Sequence, residues 1–268
     1  MKSWTRIAAL GLALSLLAAL AACGGGEDKK GAGAAVGEKT PPATAAALSP
    51  TAERQTPAAE TTAAGEEAGE ISAELKARFT AAALTEKDMP EGFTLEKDGF
   101  RTPEEAAENE DDPGEALKRY RQWKAVGFYE ADFSGPADAL VEGGIVSIFH
   151  GIMVFEDENG VKAALEWFKD EDRAQDLLGG EEQGEVDLKA EHMSVGSVGE
   201  DRVGWRVSGK VETGVSEDKV ELHLVMGVFR QGKALGMVGV AGLGDVDPED
   251  QARELCEKLD SNIQKELD

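Results

Sequence analysis

The chain has 268 residues, 53 of them acidic and 28 basic, for a formal net charge of −25, with 32 glycines and two cysteines. A balance this acidic argues against nucleic acid, because that binding is driven by Lys and Arg displacing phosphate counterions. Two cysteines exclude a disulfide-rich scaffold and any four-thiolate zinc site. At 41% hydrophobic residues the chain can build a core, but its composition is uneven, so the folded part is shorter than the whole.

Lys2 and Arg6 precede Ile7 to Ala22, a run of apolar and small residues broken only by Ser15. A basic start, an apolar middle and a small-residue exit make a secretory signal. The run is shorter than a membrane span requires, and a glycine triplet follows Cys23 at once. The exit, Leu20-Ala21-Ala22-Cys23-Gly24, resembles the lipobox of bacterial lipoproteins. That resemblance implies a diacylglyceryl group (palmitate-type chains) on the Cys23 sulfur and cleavage just before it, so that residues 1–22 are the signal peptide. One acyl chain anchors only marginally, at about 0.8 kcal/mol per buried methylene. Two or three on Cys23 would hold the protein on the extracytoplasmic face of the membrane.

Residues 23–70 follow as the lipidated Cys and a Gly, Ala, Thr, Pro and Glu tract with no aromatic residue. Such a tract buries too little to offset its conformational entropy and is predicted to be a disordered tether. As a flexible coil it spans on the order of 40 Å, against a radius of gyration of roughly 16 Å for a compact domain built from the rest. Residues 71–268 carry most of the acid, 45 acidic against 22 basic side chains.

Within that acidic domain, Ser72 to Leu84 is predicted helical, with Leu75, Phe79 and Ala82 or Ala83 on one side. Met89-Pro90-Glu91-Gly92-Phe93 breaks the chain. Glu104 to Val126 predicts one or two helices, with Asp112-Pro113 as an N-cap and first-turn proline. Gly127 to Ser134 alternates, placing Tyr129, Ala131 and Phe133 on one face. Ile145 to Phe155 is apolar on both faces, as in a central strand covered on each side or one at an interface. A helix over Asn159 to Lys169 comes next, then an acidic stretch, Asp170 to Asp187, expected to be a loop. Arg202 to Glu212, Val220 to Phe229 and Ala234 to Ala241 are predicted strands, the last two joined by a turn at Gln231-Gly232. A final helix starts at Pro248, capped by Asp247, and buries Ala252, Leu255, Cys256, Leu259 and Ile263. These elements predict a single α+β domain: an antiparallel sheet packed mainly on one face by helices, closed by a C-terminal amphipathic helix.

No stretch carries a catalytic signature. Gly204-Trp205-Arg206-Val207-Ser208-Gly209-Lys210 matches most of a phosphate-binding loop, but Val211 stands where the motif needs a hydroxyl and the stretch alternates like a strand. Ser216-Glu217-Asp218-Lys219 fits a Ser-x-x-Lys pair but sits in a predicted hairpin turn, without its companion element. Asp157, Asn159, Gly160 and Glu166 occupy calcium-loop positions, yet Phe155 offers no oxygen at the first, so Asp157 and Asn159 read as cap residues. Asp245, Asp247, Glu249 and Asp250 are explained by the helix dipole. His150, His192 and His223 are too far apart for local metal spacing, with His150 predicted in the core and His223 on a polar face. Cys256 is expected to be a buried, inert thiol. No metal site and no cofactor is expected. Tyr120, Trp123, Phe128, Tyr129 and Phe133 form the one aromatic concentration, expected as core or, through Tyr120, Trp123, Phe128 and Tyr129, as a ligand pocket.

Leu84-Thr85-Glu86-Lys87-Asp88-Met89-Pro90-Glu91-Gly92-Phe93, Val198-Gly199-Glu200-Asp201 and Val228-Phe229-Arg230-Gln231-Gly232-Lys233, together with the lipobox and tether, resemble a broad group of uncharacterised bacterial lipoproteins. More loosely, they are similar to the extracellular sensor domains of bacterial receptor serine/threonine kinases. The resemblance implies a fold and a location and brings no functional residues with it. The chain departs from the sensor domains in that Cys256 lacks a disulfide partner. The reading that follows is a lipid-anchored, non-enzymatic binding or sensor module whose partner is an envelope protein or a small ligand. An envelope hydrolase with a site assembled only in three dimensions, and a structural lipoprotein assisting envelope assembly, are the alternatives.

Overall fold

Seven strands form one antiparallel sheet, and every strand hydrogen-bonds only to antiparallel neighbours. The structure is a computed structural model and describes residues 70–110, 112–170, 188–211 and 219–267. The lipobox, the tether, nearly all of the acidic stretch before β4 and Ser216 lie outside the described residues. In chain order the elements are α1 (Ala73–Ala82), a 3₁₀ turn (Glu86–Asp88), β1 (Thr94–Arg101), α2 (Pro103–Glu108), α3 (Pro113–Trp123), β2 (Ala125–Ser134), α4 (Ala139–Glu142), β3 (Gly144–Phe155), α5 (Glu158–Phe168), β4 (Lys189–Met193), β5 (Asp201–Val211), β6 (Val220–Gln231), β7 (Ala234–Leu243) and α6 (Glu249–Glu266). Across the sheet the order is β1-β2-β3-β7-β6-β5-β4.

The α+β reading holds, and so do the strands at β2, β3, β5, β6 and β7 and the closing helix. Helices pack against both faces of the sheet. The physical reason is β3, whose two apolar faces need two partners. Ile148 and Ile152 face one core with Tyr129, Ala131, Phe133, Val225, Phe229, Val238 and Val240, under α1 and α6. Phe149 and Phe155 face a second core with Phe128, Trp205, Met226, Val228 and Leu235, under α2, α3 and α5. We call these the first and second faces.

Local chemistry caps α1, α2, α3 and α5 close to where the sequence places their starts. The Ser72 hydroxyl accepts from the Leu75 N–H at 3.2 Å. Thr102 and Glu105 make a reciprocal capping box around Pro103. Asp112 accepts from the Glu115 N–H at 3.0 Å ahead of Pro113. Asp157 accepts from both Asn159 and Gly160 at 3.0 Å, the capping role predicted for it. A Cβ on Gly160 would overlap the Trp123 carbonyl, so glycine there lets α5 lie directly against the end of α3. The last helix begins one residue later than predicted, with Pro248 in the cap position. The Asp247 carboxylate still accepts from the Glu249 N–H at 3.0 Å.

Helix α6 lies on the first face through Ala252, Leu255, Cys256, Leu259 and Ile263, all buried. Burying each of Leu255, Leu259 and Ile263 stabilises by roughly 1.5–3 kcal/mol. Its C-terminal end also holds α1, where Arg78 Nε donates to the Glu266 carbonyl at 2.6 Å. Cys256 faces β6 so closely that a Cβ on Gly227 would stand 2.6 Å from its Sγ. Burial, with Glu257 and Asp260 nearby, pushes the thiol up to about 12. Among the described residues it is the free cysteine, and it is buried. The native protein should therefore resist iodoacetamide at Cys256 at neutral pH and become labelled only on denaturation. Rapid native labelling, read by mass spectrometry, would contradict this packing.

Candidate functional site

The four aromatic residues predicted as a ligand pocket do not share one. Phe128 and Tyr129 are consecutive on β2, and successive strand residues point to opposite faces. Tyr120, Trp123 and Phe128 meet on the second face, with ring centroids 4.8 Å apart for Tyr120–Phe128 and 5.9 Å for Tyr120–Trp123. Tyr129 lies on the first face, stacked near Phe79 at 6.5 Å and 5.1 Å from Phe100. All four are buried. They are core packing on two sides of the sheet.

The second-face cluster is organised by a charged pair that the sequence did not announce. Glu110, in the turn between α2 and α3, is buried; its carboxylate accepts from the Tyr120 hydroxyl and pairs with the Arg119 guanidinium. That guanidinium lies 4.8 Å from the Trp167 ring and 5.6 Å from those of Tyr120 and Trp123, an arrangement favoured by the ring quadrupoles. Burial first, and then Glu110, raise the Tyr120 hydroxyl far above its ordinary range. Removing either partner of such a pair leaves an uncompensated buried charge, so the pair fixes α3 to α5 and β2.

On the first face His150 is buried, as predicted for it. Its Nε2 accepts from the Leu84 backbone N–H at 3.3 Å, and its ring stacks 6.0 Å from Phe133. An accepting Nε2 requires the neutral ring with its proton on Nδ1, and Nδ1 has no partner among the described residues. Burial pushes the imidazole down to about 4, with Asp88 opposing. His192 lies on β4 against Trp205 at 3.8 Å. His223 lies on β6, 3.7 Å from Glu221. Among the described residues no three His, Cys, Asp or Glu side chains converge as a metal would need.

The polar groups best placed to meet a ligand are Glu130 and Asp132, which the strand period puts on the second face of β2 between the inward residues of the first. Glu130 pairs with Arg101 of β1 at 3.0 Å and keeps 41% of its side chain exposed. Even so, desolvation lifts its carboxyl above the usual range; Arg101 and Lys97 oppose and Asp132 assists. Asp132 is raised as well, again by burial, with Lys97 and Arg101 opposing. Both carboxyls are thus partly desolvated while Glu130 stays reachable from solvent. Beside this pair across β3 stands Phe149, packed over Gly239, where a Cβ would overlap its ring. Charge of both signs therefore lies beside a buried aromatic ring on this face of the sheet. The alternation of β2 carried the signal for this strip, since it sets Glu130 and Asp132 on the face opposite Tyr129.

Of the acidic cluster before α6, Asp247 and Glu249 pair with Arg206 of β5, and Glu249 and Asp250 with Arg253. The stretch resembling a phosphate loop is β5, with Trp205 Nε1 donating to the Phe168 carbonyl at 2.9 Å.

The chain matches no protein-family model and no curated protein. Among solved structures it is similar to the extracellular domain of PknH from Mycobacterium tuberculosis, with a TM-score of 0.47 at 10% identity over 74% of this chain and 99% of that one. Among the described residues no helix is long and apolar enough to cross a membrane.

His150 sets a pH dependence. Its folded pKa lies below the ordinary value of histidine, so between about 6.5 and about 4 the unfolded chain binds a proton that the native state refuses. Its contribution is complete above pH 6.5 and is lost as pH falls towards 4, by about 3 kcal/mol in all. Urea denaturation of the wild type and of His150→Phe at pH 7 and pH 4.5 should show the difference between them shrinking on acidification. A constant difference would refute the assignment.

Proposed function

We propose that the chain is a lipid-anchored extracytoplasmic binding or sensor module, non-enzymatic, fastened to the membrane through acyl chains on Cys23. Its ligand is a small molecule or envelope protein that meets the Glu130–Asp132 strip. The observation that carries this reading is Leu20-Ala21-Ala22-Cys23 at the end of an export signal, followed by a long tract too poor in apolar residues to fold. Supporting it, the Cys256 thiol and the His150 imidazole are withdrawn into the core, where neither meets a substrate. Replacing Cys23 by Ser in the full chain should move the protein from the membrane fraction to the soluble extracytoplasmic or culture fraction. Continued membrane retention in an uncleaved form would overturn the anchor.

One observation favours a second reading, an envelope hydrolase. Glu130 and Asp132, both desolvated, lie two residues apart on one strand face, which separates their Cα atoms by about 7 Å. Glycoside cleavage likewise uses two carboxyls on one surface, set about 5–9.5 Å apart at their oxygens. Full-length protein incubated with cell-wall glycan should release no reducing ends if the binding reading holds. Release by the wild type that falls at least a hundredfold in Glu130→Gln would replace it with the enzymatic one.

A further inference from the structure

Helix α1 is the most lightly held of the longer helices. It buries Phe79 and Ala82, whereas α5 and α6 each bury five residues. Polar ties make up part of the difference. Arg78 Nε donates to the Glu266 carbonyl at 2.6 Å, and past the C-terminal end of α1 Lys258 of α6 meets Asp88 at 3.2 Å. A third tie runs into the sheet, where the Leu84 N–H donates to His150 Nε2 at 3.3 Å. The strand that carries His150 is paired along its length with β2 and β7, so α1 is the partner free to move.

His150 is 1% exposed, and its surroundings suit the neutral ring alone. A protonated ring donates from both nitrogens. Its Nε2–H would then face the Leu84 N–H, donor against donor, while Nδ1 has no acceptor among the described residues. The neighbouring elements offer no remedy. Tyr129 and Phe133 of β2 present rings at 5.8 and 6.0 Å, Val238 of β7 pairs with His150, and Leu255 and Leu259 of α6 share the same apolar core. The Tyr129 hydroxyl donates to Asp98 of β1 at 3.1 Å; burial, then Asp98, push it up to about 12 and keep it neutral. Asp88 is the charged group whose field favours the proton. Burial raises its own carboxyl, but bonds from Thr85 and Lys258 outweigh that and hold it below the usual range.

We propose that His150 is an acid-operated latch: protonation of the buried imidazole breaks its bond to Leu84 and releases α1 from the first face while the sheet stays folded. Release uncovers Gly127, Phe100 and Tyr129, against which Ile71 and Phe79 pack. The device uses neither the Glu130–Asp132 strip nor the lipid anchor, so it stands or falls apart from the proposed function. Hydrogen–deuterium exchange of the full chain at pH 7 and pH 5, read by mass spectrometry and corrected for intrinsic rates, tests it. The seated ring takes its proton at about 4 and the freed ring at about 6.5, so α1 should open about twentyfold more at pH 5 than at pH 7. Peptides from β3 and β6 should keep their protection. In His150→Gln, whose side-chain oxygen can accept from Leu84 without titrating, α1 should exchange alike at both pH values. Arg78→Met should raise α1 exchange at both and preserve their ratio. Joint loss of protection by α1, β3 and β6 would overturn the proposal, as would equal pH sensitivity of α1 in wild type and His150→Gln. Should His150→Gln fail to fold, a ratio near one in the wild type or in Arg78→Met would overturn it equally.

Discussion

Burial of β3, β7 and β6 on both faces is the constraint from which the rest of the molecule follows. A strand with two covered faces must be apolar at every position, as Ile145 to Phe155 nearly is, and it forces a helical layer onto each side of the sheet. Charge is then left to the edges, the loops and the outward sides of helices, so a chain can be strongly acidic and still fold around a continuous hydrophobic interior. Pairing of consecutive residues with opposite faces also explains why Phe128 and Tyr129, adjacent in sequence, belong to different cores.

Polar groups inside those cores act as locks between layers. His150 offers β3's imidazole to the Leu84 N–H, a buried donor between α1 and the 3₁₀ turn that would otherwise lack a partner. Glu110 gathers Arg119 and Tyr120 against the rings of α3 and α5. Each is costly to break because removing one partner strands the other away from water. The same sequestration takes the histidine, the thiol and the best-placed tyrosine out of contact with any ligand. Among the surface carboxylates, burial raises those of Glu130 and Asp132, on a strand face beside Phe149.

The central strands and the closing helix were legible because burial writes a period into sequence: two residues in β5 and β6, and the spacing of Leu255, Leu259 and Ile263 in α6. The edge strands β1 and β4 were not. Thr94 to Arg101 is exposed along most of its length, and an edge strand protected by charge carries no apolar alternation to detect. The four-residue α4 is too short for helical periodicity to appear. Aromatic density around Tyr120 correctly marked a packed region but could not say which side of the sheet each ring would take, because that depends on the register of β2 against β3. The Glu110–Arg119 pair left no trace at all, since nothing in a list of charges shows which one will be buried. The Glu130–Asp132 strip was present in the alternation of β2, but the second face first had to be recognised as an inner one.

On the anchored reading, the tether and the acidity act together. A coil reaching on the order of 40 Å lets the domain sample many orientations, and repulsion from an anionic leaflet extends only about 8 Å at physiological salt. Charge therefore biases the domain away from contact without fixing its height. Orientation is decided instead by the point of attachment. On that reading, with Ile71 seated at the start of β2, attachment is made at one end of the sheet and the opposite end faces away from the membrane. On the same reading a face on the flank, such as the one bearing Glu130, stays accessible from solvent at any tilt of the domain.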